Sequence, residues 1–90
     1  MNTILVSYDL QAPGKDYANL WDHLKSYDDW AKPLESVWLL KTNLTAVQVR
    51  DATLKHVDEN DKIFAADVTG RAAAWRNLPD NISAWIKSKL

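Results

Sequence analysis

The sequence predicts a small α+β domain, and three observations carry that prediction. Strand-type residues run from Thr3 to Asp9, an apolar stripe at helical spacing follows from Tyr17 to Tyr27, and strand and helix patterns then alternate along the chain. Alternation on this scale implies helices layered on a small sheet. A chain of 90 residues buries only about 60–65% of its unfolded surface. One core and one domain, 1–90, are therefore expected, with 70–90 read as a C-terminal extension ending in a helix.

The opening stretch, TILVSYDLQAPG from Thr3 to Gly14, is a strand that ends in an acid and turns at Pro13-Gly14. Side chains alternate along a strand, so Ile4, Val6, Tyr8 and Leu10 share one face and Leu5, Ser7 and Asp9 the other. Asp16 is the expected N-cap of the first helix, whose buried stripe is Tyr17, Leu20, Trp21, Leu24 and Tyr27. Asp28 and Asp29 end it, because acids are unfavourable at the negative pole of a helix. From Leu34 to Lys41 the residues favour a strand, with Pro33 at its start or on an edge. Apolar side chains on both of its faces, Val37 to Leu40, require cover on both sides: a dimer partner on one face, or full enclosure as a central strand.

Thr45 and Gln48 form a T-x-x-Q capping box for a helix from Ala46 to about Val57. After the polar turn Asp58 to Asp61, residues Lys62 to Val68 read as a strand. Phe64, Ala66 and Val68 lie on one side of it, and Ile63, Ala65 and Asp67 on the other. Thr69-Gly70 turn the chain, and Ala72 to Trp75 are expected to return as a short strand. Asp80 caps a final helix with Ile82, Trp85, Ile86 and Leu90 along its apolar stripe. The order fits a ferredoxin-like sandwich, a small antiparallel sheet with helices on one face. One strand of the usual set is then hidden in a bent continuation of the Leu34 to Lys41 segment.

Composition excludes several classes. Without cysteine there is neither a disulfide framework nor a thiolate metal site. The short apolar run Ile4 to Val6 is neither a signal peptide nor a membrane span, so a cytoplasmic protein without membrane contact is expected. A net charge of −1 supplies no overall attraction to nucleic acid. The five tryptophans are spread along the chain and read as core and interface material.

The two glycines cannot build a phosphate loop. His23 and His56, each without a second histidine at ligand spacing, read as exposed surface residues. Carboxylates at strand ends remain, Asp9 first and Asp67 second. An oxygen ligand of this kind suits Mg²⁺ or Mn²⁺, which take one or two protein carboxylates together with waters and phosphate oxygens. A two-fold axis would supply a second Asp9. The structural alternative is that Asp9 accepts hydrogen bonds from the Gln11-to-Gly14 turn.

Three short motifs carry a family resemblance: Tyr8-Asp9 at the end of the first strand, Ser36-Val37-Trp38 on a later one, and Asp61-Lys62-Ile63-Phe64 after an acidic turn. Over residues 3 to 68 the chain resembles the small CRISPR-associated nuclease-like subunit of the spacer-acquisition complex and the related virulence-associated protein D toxins. The resemblance implies a ferredoxin-like homodimer with two Asp9 side chains near its axis, binding Mg²⁺ or Mn²⁺ for phosphodiester cleavage of RNA or DNA. Asp9 would then be metal ligand and catalytic residue. Ser7 and Ser36 would orient water or phosphate, and Lys15 would meet the charge of the substrate backbone. Family members often carry arginines after this Asp, whereas the loop here is QAPGK. That departure, with a tail from Gly70 to Leu90 that has no counterpart, describes a diverged, stand-alone relative. The rival expectation is a non-catalytic dimeric interaction module that keeps the fold without the chemistry.

Overall fold

A computed structural model describes residues 1–11 and 16–90. Its elements in chain order are β1 (Asn2–Asp9), α1 (Ala18–Lys25), β2 (Asp29–Leu34), β3 (Val37–Thr42), α2 (Ala46–Leu54), β4 (Lys62–Asp67) and α3 (Asp80–Lys89). The first six form the βαββαβ unit of a ferredoxin-like sandwich. The sheet runs β2-β3-β1-β4, and every neighbouring pair is antiparallel. The expected turn at Pro13-Gly14 lies outside the described residues, as does Lys15.

β1 is central because its alternation gives it two usable faces. Ile4, Val6 and Tyr8 enter a core with Leu20 and Leu24 of α1, Trp38 and Leu40 of β3, and Val49 of α2. Each such side chain, fully buried, is worth about 1.5–3 kcal/mol relative to exposure. α1 and α2 therefore cover one face of the sheet. α2 begins at the predicted box: Thr45 Oγ1 accepts from the Gln48 amide at 3.2 Å, and Gln48 Oε1 accepts from the Thr45 amide at 2.9 Å. It stops at Leu54, one turn before Val57. At the start of α1 the N-cap position falls to Tyr17 rather than Asp16. The Asp16 carboxylate nonetheless accepts the Ala18 amide at 2.9 Å.

The strand expected in a bent continuation of the Leu34 to Lys41 segment is found on its N-terminal side, ending at Leu34. Residues read as a helix stop, Asp29 and its neighbours, are β2, joined to β3 through a tight turn at Glu35-Ser36. β2 lies at the edge of the sheet, where Pro33 need cost no ladder bond. The register slips between Ala31 and Leu34, next to that proline.

α3 lies on the sheet face opposite α1 and α2, so the helices are not confined to one side. Thr3 Oγ1 donates to the Lys89 carbonyl at 3.2 Å, and Lys41 Nζ donates to the same carbonyl at 2.6 Å. Asp29 Oδ1 accepts from the Trp85 indole at 3.0 Å, while its other oxygen pairs with Lys89. These contacts hold the Asp29 carboxyl below its usual range, Lys89 contributing most. Ile86 is buried on this side, along with Ala31 and Leu39 of the sheet. The two-sided apolar character of β3 is thus that of a central strand with helices on both faces. Asp80 stands in the first turn of α3, with Pro79 at the N-cap. Residues 71–75 form no strand, in keeping with the poor strand propensity of alanine. They make an irregular strap that runs from the Gly70 turn, where φ is +66°, to α3.

Candidate functional site

α3 leaves the Asp9 end of its sheet face open. Ser7 and Asp9 alternate with the buried Val6 and Tyr8, so both project to this face. In the sheet register Ser7 stands between Val37 and Phe64, and Asp9 stands opposite Lys62. A shallow hollow of about 200 Å³ is lined by Ser7, Tyr8, Asp9, Lys62, Ile63 and Phe64. Phe64 is 64% exposed there. Ser36 is exposed in the adjoining β2–β3 turn, and its carbonyl accepts the Tyr8 amide at 3.2 Å. The structure thus brings Ser7 and Asp9 to one surface with Ser36 at its margin. Asp67, the second candidate carboxylate, lies at the far end of β4, opposite Ile4. Its oxygen accepts from the Thr69 amide at 3.0 Å and from the Thr69 hydroxyl at 2.5 Å, and these bonds hold its carboxyl below the usual range.

Tyr8 anchors the open end from beneath. Its hydroxyl accepts from the Trp38 indole at 3.0 Å and donates to the Glu35 carbonyl at 3.1 Å. Burial pushes the phenol above its ordinary range, with the Trp38 hydrogen bond opposing the rise. The strand tip is therefore tied to the β2–β3 turn from the core side.

Of the Gln11-to-Gly14 turn that Asp9 was considered to cap, only Gln11 lies within the described residues, and its amide is bound by Asp61. Asp61 accepts the Gln11 amide at 2.6 Å, the Asp58 amide at 2.7 Å and the Tyr17 hydroxyl at 3.0 Å. One carboxylate thereby joins the exit of β1, the entry to α1 and the turn before β4. Among the described residues Asp9 makes neither a hydrogen bond nor an ion pair, and its carboxylate is exposed. A free, solvated carboxylate fits a hydrated hard cation, which needs one or two such ligands. Among the described residues no group of three potential metal ligands occurs.

The histidines are not isolated surface residues. His23 and His56 are half-buried and stack with ring centroids 4.6 Å apart, and the Tyr27 hydroxyl lies 3.2 Å from His23 Nε2. No sequence signal links positions this far apart. Burial first, and then the charge of His56, hold the His23 imidazole below its ordinary range. Folded His23 thus takes up a proton less readily than the unfolded chain. Its contribution to stability is complete above the unfolded value, about 6.5, and declines as the pH falls below it. Urea midpoints taken at about pH 7.5 and about pH 5.5 should fall on acidification, and the drop should shrink in His23→Gln. An equal drop in the variant would assign the acid sensitivity to other groups.

The aromatic residues beside β2 are occupied among themselves. Lys32 Nζ stands 5.7 Å from the Trp21 ring and 5.8 Å from the Trp38 ring, and Lys25 Nζ stands 5.9 Å from Trp30. This is cation–π packing along an edge strand. Among the described residues no helix is long and apolar enough to cross a membrane. No protein-family model and no solved structure matches the chain.

Proposed function

We propose that the chain is a homodimeric, Mg²⁺- or Mn²⁺-dependent endoribonuclease of the cytoplasm, with Asp9 as the metal ligand of each copy. The observation that supports this reading is the open end of the sheet, where an unengaged Asp9 shares a face with Ser7 beside the exposed Ser36 turn. A two-fold axis through this end sets two Asp9 carboxylates close together, a donor set suited to one hydrated cation. Such a cation, when bound, activates water and offsets charge at the scissile phosphate. Ser7 and Ser36 supply hydroxyls that hold water or a phosphate oxygen by hydrogen bonds. Lys62, opposite Asp9 in the register, adds a positive charge at the rim, and Lys15 is assigned to the substrate backbone.

A second reading, a dimeric interaction module without chemistry, is favoured by the exposure of Phe64 beside Ser7. An isologous contact there would place Phe64 near the axis and allow Asp9 of each copy to meet Lys62 of the other. Both readings expect a species of twice 10.3 kDa in light scattering, converted to monomer by Phe64→Asp. They part on chemistry. Cleavage of single-stranded or structured RNA that requires Mg²⁺ or Mn²⁺ and stops with EDTA supports the nuclease. A dimer that leaves RNA and DNA intact across a metal and pH screen establishes the module. A clean monomer removes both readings.

A further inference from the structure

A larger cavity lies on the same sheet face, under the strap of residues 71–75. It measures about 440 Å³ and is walled by Leu5, Val37 and Leu39 from the sheet and by Trp75, Ile86 and Leu90 from the tail. Folded interiors are close-packed and leave few voids larger than a water molecule. This volume falls instead in the range of ligand pockets, about 300–1,000 Å³. The strap is held at both ends by α3 and its terminus. The Gly70 amide donates to the Leu90 carbonyl at 2.8 Å, and the Trp75 indole donates to Ser83 Oγ at 3.0 Å. Between these ties Ala72, Ala73 and Ala74 bring only methyl groups to the wall.

The charged side chains in the wall are of one sign. Arg71 and Arg76 border the cavity at the two ends of the strap, and no Asp or Glu lines it. Among the described residues neither arginine forms an ion pair or a side-chain hydrogen bond. A guanidinium offers a fork of donors that matches a carboxylate, and an apolar wall takes an aliphatic chain. We propose that this cavity binds an aliphatic monocarboxylate, its chain under the alanine strap and its carboxylate at Arg71 or Arg76. The wall has too few polar groups to satisfy the many donors and acceptors of a nucleotide or a sugar.

Decanoate and decyltrimethylammonium, each below its micelle-forming concentration, are the probes for calorimetric titration of the full chain. Decanoate should bind one per chain, at least about tenfold more tightly than the cation, the ratio expected for one charge-assisted pair. Arg71→Ala/Arg76→Ala, both exposed positions, should remove that preference. Val37→Phe, which fills the cavity from the sheet side, should abolish decanoate binding while the urea midpoint shows that the variant is folded. Equal binding of the two amphiphiles, no decanoate binding to the wild type, or a preference unchanged in the double-arginine variant would overturn the proposal. Because that variant alters only the surface, the test stands even if Val37→Phe fails to fold.

Discussion

Replacing Trp38 by alanine should lower the unfolding free energy by about 3–5 kcal/mol, the usual cost of truncating a buried tryptophan. Trp38 is 2% exposed and belongs to the core formed by β1, β3, α1 and α2. Its ring lies nearly parallel to Trp21 with centroids 6.4 Å apart, and it packs on Trp30 at 5.1 Å. Its indole also donates to the Tyr8 hydroxyl, which in turn ties the strand tip to Glu35. Small domains hold about 5–15 kcal/mol in total, so this loss removes much of the margin. Trp38→Phe retains most of the packing and loses the indole donor, a change of about 1–3 kcal/mol. Asp22→Ala, at an exposed position of α1, should stay within about 0.5 kcal/mol of the wild type. A urea series in which Trp38→Ala unfolds no earlier than Asp22→Ala would mean that the assigned core is wrong.

Under the proposed nuclease function, Asp9→Asn should reduce metal-dependent RNA cleavage by more than about a hundredfold, since even outer-shell partners of a bound metal are worth 10–100-fold. The amide keeps the shape of the carboxylate and removes the charge that a hard cation needs. Stability should hold, because among the described residues Asp9 holds no partner in the folded chain. Asp61→Asn makes the opposite control. Its carboxylate accepts from Gln11, Asp58 and Tyr17, so that substitution should lower the melting temperature through the joined loops. Unchanged cleavage by a folded Asp9→Asn variant would remove Asp9 from the chemistry. For the nuclease reading, weak RNA binding with a shallow salt dependence is expected, given a net charge of −1.

Elements whose signals are local could be read from the residues alone. Alternation from Ile4 to Asp9, the Leu20 and Leu24 stripe, and the Thr45–Gln48 capping box each depend on neighbours within about one helical turn. Each reappears in the structure, with the order that specifies an α+β ferredoxin-like unit. The shared face of Ser7 and Asp9 was legible for the same reason, because alternation alone decides the face of a strand.

Contacts between distant positions emerge from the packing of the folded chain. β2 was obscured because an edge strand buries one face, and here Ala31 alone is buried, between the exposed Trp30 and Lys32 and close to a proline. The apolar stripe of α3 was visible, but nothing local said which side of the sheet it would cover. Pairing of His23 with His56, and of Asp61 with Gln11 and Tyr17, arises from packing of separate elements, for which no periodicity exists. The cavity under the strap has the same origin: its walls come from β1, β3, the strap and α3, and only the fold brings them to one place.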